Sequence, residues 1–471
     1  MADMEAVCAR QLGHEISRTA TRYAVILRIM RTGYIQHGAL MAVVGLLTSM
    51  PLLAQEPDEK ALFLMKKADE KALFLMREGD GLALHQFMAE QKDSLGEGIG
   101  ALAEAFVRGC QGDAKQGEKM MRRALKRYHD LLDDDMTAQL TFGTALQQHR
   151  QGRNRRAVKT LSSFLSERDS FRMKPVFRQY EQIFRVLQKH KQRWKGATDA
   201  SIPFRMDSVG AADARSVTVI LPTIVNAQTV DMMFDTGATM NVVTRSMAEE
   251  LGLEIAHVPI ILDGMGKNRG WLAVAKSLRI GNMEGRNVPF CVIEEVNNED
   301  ETSATTHQKA IIGMQLLQEM GCAELDFKSK TLRAIEDARM DEHNLSCGFS
   351  ENGLLLAARH HGNRLRLIPD MGATHSAVNV TDLPGQQHYV SDYLPHREVE
   401  FVGWGGTISG HEFLYPLFDI SIGSTVVTLP QMSVFDGAHY DSRLGMDFFS
   451  RCERVTFRLR YPAGMNIITW R

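Results

Sequence analysis

The sequence contains few cysteines, and their scarcity excludes two classes of protein. Six cysteines are spread over 471 residues, too few and too scattered for a small domain held together by disulfides. No C-x-x-C pair occurs, and the 16 histidines show no metal-ligand spacing, so no zinc site is indicated. We therefore expect structural or free thiols, no bound metal and no cofactor.

Long apolar runs are equally scarce. Residues 39–53 form the only long one, and this run is shorter than the roughly 20 residues that a membrane-spanning helix needs. Two arginines precede it and the small residue Ala54 follows, as in a secretory signal peptide. We predict a signal peptide within residues 1–54, with an over-extended N-terminus and a true start at Met30, cleaved after Ala54. The mature chain would be exported, periplasmic or secreted, without a stable membrane span; a signal anchor or a buried helix is the alternative.

Net charge is almost absent, since 55 Lys and Arg stand against 57 Asp and Glu. A composition of 44% hydrophobic and 24% charged residues excludes a disordered or fibrous chain, and the length indicates two or three modules. Residues 113–195 nevertheless hold 20 basic against 9 acidic residues, an excess of +11. We interpret this excess as solvated outer faces of helices, with a surface for an acidic protein partner as the alternative. A nucleic-acid partner is not expected for an exported protein.

Helical spacing of apolar residues marks the chain before residue 195. Residues 58–68 and 69–79 are near-copies, and a repeat of 11 residues is about 3.67 residues per turn, which predicts one lengthened helix. Further on, the sequence matches itself weakly when it is shifted by 40 residues. Each copy has a helix with small residues, a Gly turn (Gly112 or Gly152) and a helix with larger apolar residues. We predict a helical repeat region over 55–195 that loosely resembles tetratricopeptide repeats and offers a surface for a protein partner.

The spacing changes from helix to strand near residues 195–198, which we interpret as a linker. Short runs of β-forming residues separated by Gly and Asn follow, and the same pattern occurs again after residue 350. We therefore predict two similar β units, over 201–340 and 350–471.

One motif occurs in each β unit. MFDTGAT at 233–239 is answered by IPDMGAT at 368–374, which places Asp235 and Asp370 135 residues apart. A Gly-rich segment and then an apolar segment ending in Gly-Met follow each motif in the same order, at 264–266 and 311–314 in the first unit and at 403–406 and 443–446 in the second. Because the same motifs occur twice in the same order, we predict two modules with the same fold.

This set of motifs resembles the retropepsin-like aspartic peptidases. D-T-G-A-T after an apolar strand, a Gly-rich hairpin and an apolar-apolar-Gly segment before a short helix is the layout of that family. Viral members pair two identical chains, whereas pepsin-type enzymes carry both halves in one chain, as this sequence does. The resemblance implies a multidomain protein: an N-terminal α-helical repeat region followed by an all-β aspartic peptidase unit of two pseudo-twofold halves, acting on a peptide or protein substrate.

The chemistry of the family explains why the motif occurs twice. Hydrolysis needs a water held between two carboxyl groups, one ionised and one protonated. Two carboxyl groups at such a short distance cannot both be ionised, so they share one proton. The resemblance assigns catalysis to Asp235 and Asp370, and support of the pair to Thr236, Gly237 and Gly372. In a single-chain site, the two carboxyl groups should lie within hydrogen-bond reach of each other or of one water.

The Gly-rich segments resemble the tips of two flaps, which are hairpins that close over an extended peptide and pair with it. An ordinary hairpin without a substrate role is the alternative. The residues assigned to substrate contact are Gly264, Met265, Gly266, Gly403, Trp404 and Gly405. Gly313 and Gly445, in the later apolar segments, are expected to pack behind the aspartate loops.

The second motif departs from the family pattern. Met371 stands where the family has Thr or Ser, so that a bracing hydroxyl is lost on one side, and Pro369 removes a backbone donor. Neither change removes a carboxylate, and we predict an aspartic endopeptidase. A catalytically impaired peptide-binding or scaffold protein is the alternative, and a third hypothesis pairs two chains through their Asp235 halves.

Overall fold

The computed structural model describes the chain from residue 59 onward, with several gaps. The described ranges are 59–91, 94–209, 216–264, 266–294, 309–336, 347–350, 353–403, 406–423, 425–436, 441–461 and 463–467. The predicted signal peptide within residues 1–54 lies outside them, together with its cleavage site. Within these ranges, no helix is both long and apolar enough to cross a membrane.

Helices form the first part of the described chain. They are α1 (Glu59–Arg77), α2 (Gly81–Glu90), α3 (Glu97–Cys110), α4 (Ala114–Arg127), α5 (Asp134–Arg150), α6 (Asn154–Glu167) and α7 (Lys174–Lys189). Residues 59–77 of the two near-copies lie in α1, as the spacing predicts. The predicted order, a helical region followed by a β-rich region, is confirmed.

Short turns join the helices into hairpins. Gly79, Gly112 and Gly152 precede α2, α4 and α6, and all three have positive φ, the backbone region that favours glycine. Asp80 and Asp113 then cap α2 and α4, because each carboxylate accepts a hydrogen bond from a backbone N–H of the first turn. The two Gly turns expected from the 40-residue shift are therefore present as helix-joining turns.

Strands dominate the described chain beyond α7. In chain order they are β1 (Arg193–Lys195), β2 (Ser201–Pro203), β3 (Arg205–Val209), β4 (Ser216–Val225), β5 (Gln228–Phe234), β6 (Asn241–Thr244), β7 (Glu254–Gly264), β8 (Gly266–Ile280), β9 (Met283–Ile293), β10 (Ala310–Ile312), β11 (Cys322–Asp326), β12 (Thr331–Ala334), β13 (Cys347–Ser350), β14 (Gly353–His360), β15 (Asn363–Pro369), β16 (Ala377–Asn379), β17 (His396–Gly403), β18 (Gly406–Ile422), β19 (Thr425–Phe435), β20 (Arg443–Leu444), β21 (Arg454–Arg458) and β22 (Gly464–Ile467). Short helices lie between them: α8 (Arg245–Glu250), α9 (Gln315–Met320), α10 (Gln387–Tyr393) and α11 (Met446–Phe449).

Two of the three sheets have the same strand order. The first runs β3-β4-β5-β10-β6-β9-β8-β7, with β1 added beside β9, and the second runs β13-β14-β15-β20-β16-β19-β18-β17. Each sheet closes on itself, because β8 pairs with both β4 and β9, and β18 with both β14 and β19. In each sheet a short strand, β10 or β20, runs parallel to the strand that leads to the aspartate.

The third sheet joins the two β units. Its order is β2-β12-β11-β21-β22, so that β11 of the first unit pairs along its whole length with β21 of the second. The buried core is continuous across this junction, and includes Leu325 and Val455 from the paired strands. This shared sheet fixes the two aspartate-bearing sheets relative to each other.

The helices pack directly on the first sheet. Phe177 and Phe184 on α7 lie in one buried cluster with Ile220, Leu272 and Ile311 of the sheet. The burial of these aromatic and aliphatic side chains is the main stabilising term for such a contact. Helices and sheets thus belong to one compact unit, Lys60–Arg471.

The boundary between helices and sheets lies earlier than the sequence suggests. The last helix ends at Lys189, and Trp194 in β1 pairs with Gly285 in β9. The indole fits there because Gly285 has no side chain: a Cβ would lie 3.0 Å from two ring atoms. The predicted helical region, 55–195, therefore includes a strand of the first sheet at its end.

Candidate active site

The two aspartates follow equivalent strands of the two sheets. The Asp235 N–H donates to the Ile312 carbonyl at 3.0 Å, and the Asp370 N–H donates to the Leu444 carbonyl at 2.8 Å. Each aspartate is thus placed by the parallel strand beside it, β10 or β20. Strand pairing therefore places the two aspartates at equivalent positions in the two sheets.

Gly313 and Gly445 lie behind the two loops, as expected. The Gly313 N–H donates to Asn241 Oδ1 at 3.0 Å, and the Gly445 N–H donates to Ser376 Oγ at 2.9 Å. A Cβ on either glycine would lie 2.5 Å from the backbone of the aspartate loop, closer than real Cβ contacts allow. Glycine is therefore needed at both positions so that the loop can pass.

Backbone donors hold one oxygen of each carboxyl group. Asp235 Oδ1 accepts from the N–H groups of Gly237 (2.8 Å) and Ala238 (3.1 Å). Asp370 Oδ1 accepts in the same way from the N–H groups of Gly372 and Ala373, both at 3.0 Å. Hydrogen bonds of this kind to a carboxylate are charge-assisted and strong.

The two carboxyl groups meet across the loops, within hydrogen-bond reach of each other. Each faces the glycine of the opposite motif: a Cβ on Gly237 would lie 2.8 Å from Asp370 Oδ1, and a Cβ on Gly372 would lie 2.6 Å from Asp235 Oδ2. No larger residue fits at either glycine without displacing a carboxyl group. One chain thus brings together the two aspartates that the sequence singled out.

The environment favours the protonated form of Asp235. Burial, and then the neighbouring Asp370 carboxylate, raise the pKa of Asp235 well above its ordinary value, although the Gly237 and Ala238 N–H donors act in the opposite direction. Two carboxyl groups this close titrate as a pair. We therefore expect the pair to hold one shared proton over an extended pH range.

Thr236 braces the two loops from one side. Its Oγ1 donates to the Pro369 carbonyl at 2.5 Å and accepts from the Met371 N–H at 3.0 Å. Met371 has no hydroxyl to return these bonds, and its side chain is fully buried in the core. We call Thr236, Pro369 and Met371 the one-sided brace, because the Thr236 hydroxyl alone makes both hydrogen bonds between the loops. Pro369 takes part through its carbonyl.

Arg443 contacts the pair, although no role was predicted for this residue from the sequence. Its Nη1 lies 3.0 Å from Asp370 Oδ2, and the side chains are 16% and 9% exposed. The register explains the contact, because Arg443 pairs with Ile368, two residues before the aspartate. The available signal was a basic residue in the second unit at the position that Ile311 occupies in the first.

Both predicted flap segments are the tips of hairpins. β7 and β8 meet at Gly264 and Gly266, and β17 and β18 meet at Gly403 and Gly406. The tip residues Met265, Trp404 and Gly405 lie outside the described residues. Their contact with a substrate stays a prediction.

Helix α7 contacts the outer strand of the first hairpin. Gln179 Nε2 donates to the Ile261 carbonyl at 3.4 Å, and Gln179 Oε1 accepts from the Ile261 N–H at 3.3 Å. His190 Nε2 lies 3.6 Å from Glu254 Oε1 at the other end of β7. The amide side chain satisfies backbone groups of an edge strand in the manner of a neighbouring strand.

The helical region also contacts the second sheet. Asp80, the cap of α2, accepts a hydrogen bond from Arg364 Nη2 at 2.8 Å, and Arg366 Nη1 lies 3.7 Å from its other oxygen. Both arginines belong to β15, the strand that leads to Asp370. The Arg108 guanidinium lies 4.1 Å from the centre of the Tyr461 ring.

Possible metal ligands and cysteines were also located in the described part of the chain. No group of three or more His, Cys, Asp or Glu side chains there is arranged to hold a metal ion. No disulfide joins Cys110, Cys291, Cys322 or Cys452 to another described cysteine. Burial raises the pKa of Cys291 and Cys452 to about 12, so these thiols are not nucleophiles at neutral pH.

Comparison with known proteins finds a family model that matches part of the sequence. The sequence model of a family described as aspartyl protease matches residues 221–316, which include Asp235 and Gly313. This match supports an aspartic peptidase-like fold and, at the level of the family, a peptidase. No curated protein matches the sequence.

Solved structures similar to this chain include a retropepsin-like aspartic protease from Rickettsia conorii, at 18% identity and a TM-score of 0.17, covering 27% of this chain and 81% of that one. Basic 7S globulin from soybean is similar at 9% identity and a TM-score of 0.34, covering 58% and 95%. Conglutin gamma, a basic 7S globulin from lupine seeds, is similar at 11% identity and a TM-score of 0.34, covering 57% and 95%.

Proposed function

We propose that the protein is an aspartic endopeptidase that hydrolyses peptide bonds with a water held between Asp235 and Asp370. One observation carries the proposal: the two carboxyl groups come from equivalent strands of two sheets with the same strand order and lie within hydrogen-bond reach of each other. Pairs of titratable groups with such environments are typical of acid–base sites.

The chemistry needs one proton on the pair. The ionised carboxylate takes a proton from the water as the water oxygen attacks the scissile carbonyl carbon. The protonated carboxyl group gives its proton to the carbonyl oxygen, which forms a tetrahedral diol. The carboxyl group that took the water proton then gives it to the amide nitrogen, and the carbon–nitrogen bond breaks. A hydroxyl of the diol returns its proton to the other carboxylate as the carbonyl forms again, so that the pair is once more singly protonated.

The two β units are proposed as pseudo-twofold halves of this one site, over residues 201–340 and 350–471. An extended peptide would lie between them and pair with the hairpin tips at Gly264–Gly266 and Gly403–Gly406. Thr236, Gly237 and Gly372 would support the pair by the contacts described above. The single-chain arrangement brings both carboxyl groups together without a second copy, although pairing of two chains stays a hypothesis.

A second candidate function is a peptide-binding protein with impaired catalysis. Met371 and Arg443 favour it, because both depart from the first unit: the Met371 N–H contacts the Thr236 hydroxyl and Arg443 contacts Asp370. The helical region, in either case, is proposed to offer a protein partner a surface. Its repeat character, the signal peptide and an exported location stay predictions.

The two functions separate in a cleavage experiment. Purified protein is incubated with a peptide library from acidic to neutral pH, with and without pepstatin, and products are identified by mass spectrometry. The endopeptidase predicts cleavage that pepstatin blocks and that Asp235→Asn and Asp370→Asn each abolish. Asp231→Asn is the matched control, since Asp231 is an exposed residue of β5, the strand that leads to Asp235, and should retain activity. Binding of peptides without cleavage at any pH would favour the second candidate.

A further inference from the structure

Arg443 makes the two aspartate loops electrostatically unequal. In the second sheet its guanidinium lies against Asp370 Oδ2. In the first sheet the residue at the same place is Ile311, which pairs with Met233, two residues before Asp235, as Arg443 pairs with Ile368. A charged residue therefore occupies in the second sheet the register position that an apolar residue occupies in the first.

The contact between Arg443 and Asp370 is shielded from water. Asp370 is 6% exposed, and its Oδ1 is occupied by two backbone donors, so that Arg443 binds the other oxygen. A hydrogen bond between two charged groups shielded from water is stronger than a neutral one and is little screened by salt. The Arg443 Nε also donates to the Asp441 carbonyl at 3.3 Å, which helps to hold the guanidinium in place.

We propose that Arg443 is a positioning residue: it holds Asp370 as the ionised carboxylate, so that the shared proton lies on Asp235. Because the inference rests on the proposed function, it assigns a role to each carboxyl group. Asp370 would take the proton from the attacking water, and Asp235 would donate its proton to the scissile carbonyl oxygen. The raised pKa of Asp235 agrees with this assignment.

The charges around the pair decide the sign of the effect. Asp235 and Arg443 face Asp370 directly. One layer further out lie Asp447 on α11, which accepts from Ser376 and has His375 nearby, and, beyond Ser442, Asp382. A positive charge beside two acids makes each proton easier to lose. The pair therefore loses its protons at a lower pH with Arg443 than without it.

Arg443→Ile tests the proposal, because it places in the second sheet the residue found at the same position in the first. The protonation of the pair is followed by carbon-13 NMR of protein labelled at the aspartate carboxyl carbons, with Asp235→Asn and Asp370→Asn as assignment variants. In the wild-type protein we expect the shared proton on Asp235. In Arg443→Ile, the titration of the pair should move to higher pH by about 1 unit or more, and both limbs of the pH–activity profile should move with it.

Two further variants separate charge from structure. Arg443→Lys keeps the positive charge and should restore most of the titration shift, whereas Arg443→Gln keeps a donor without charge and should behave like Arg443→Ile. Ile311→Val is the control in the first sheet and should leave the titration unchanged. Thermal melting of each variant shows which of them are folded, and the folded neutral variants carry the test.

Two results would overturn the proposal: an unchanged titration in the folded neutral variants, or a shared proton on Asp370 in the wild-type protein. The NMR readout does not require turnover. If the titration behaves as expected but no peptide is cleaved, the proposed function fails while the role of Arg443 in the pair stands.

Discussion

In the first sheet the aspartate is followed by Thr236 and flanked by Ile311; in the second it is followed by Met371 and flanked by Arg443. The backbone contacts are nevertheless the same: each aspartate N–H donates to a carbonyl of the adjacent strand, and each Oδ1 accepts from two N–H groups of its own loop. The difference teaches that strand pairing and glycine set the position of the carboxyl groups. Side chains around them set their charge and rigidity.

A second pair of positions makes the same point. Asn241 and Ser376 each lie six residues after an aspartate, and each accepts the N–H of the glycine behind the loop, Gly313 or Gly445. An amide and a hydroxyl thus make one equivalent hydrogen bond. A buried N–H must be satisfied, but the type of acceptor is free.

We expect the largest loss of activity from substitution of the glycines that face the pair. Gly372→Ala would place a Cβ 2.6 Å from Asp235 Oδ2, so that the carboxyl group must move. We expect a loss in kcat/KM on the order of 100-fold or more, since a displacement of about 1 Å can cost that much. Steady-state kinetics measure it, with Gly100→Ala on α3 as the control, where a Cβ meets only Leu95 at 3.8 Å. Unchanged kinetics in a folded Gly372→Ala protein would contradict the geometry.

The one-sided brace gives the next largest effect. Thr236→Val removes the hydroxyl that satisfies the buried Pro369 carbonyl and Met371 N–H, and each unsatisfied group costs about 1–3 kcal/mol. We expect the free energy of unfolding to fall by about 2–5 kcal/mol, measured by urea denaturation. Met371→Leu, which removes no hydrogen bond, should cost less than about 1.5 kcal/mol. Equal losses in the two variants would show that the brace is not one-sided.

The raised pKa of Asp235 predicts a pH-dependent difference between the aspartates. A carboxyl group whose pKa is raised by folding lowers the stability once the pH exceeds its unfolded value of about 3.9. Asp235→Asn should therefore stabilise the protein at neutral pH by about 1 kcal/mol or more, and this gain should disappear below about pH 4. Asp370→Asn should give no such gain, because it removes the carboxylate that Arg443 contacts. Thermal melting at several pH values measures both, and a gain that persists in acid would refute the assignment.

The hairpins should give the smallest effect. Gln179→Leu removes two hydrogen bonds to the Ile261 backbone, and Ile261 is 56% exposed, so that water can replace them. We expect a loss of about 0.5–1 kcal/mol in global stability and faster amide hydrogen exchange in 254–264 than in the wild-type protein. Exchange in 396–403, on the second hairpin, should not change. Gln182→Leu, an exposed position of the same helix, is the control.

Periodicity and the duplicated motif were sufficient to predict the order of modules and the meeting of Asp235 with Asp370, because both depend on local patterns repeated in a fixed order. The contact of Arg443 with Asp370 depends on strand register, and that of Gln179 with Ile261 joins residues 82 apart; a single sequence carries little information on either. The boundary near residue 195 was placed too late because a strand of three residues has no periodic signal.

The third sheet has a consequence for biosynthesis. The partner of β11 is β21, and the strand that holds Asp370 in place, β20, lies just before β21. A ribosome therefore releases the whole first sheet long before the chain segments that position the second carboxyl group exist. Non-local pairing of this kind also forms slowly. Between the synthesis of β10, which ends at Ile312, and that of β20, which ends at Leu444, the nascent chain can hold only one of the two carboxyl groups in place.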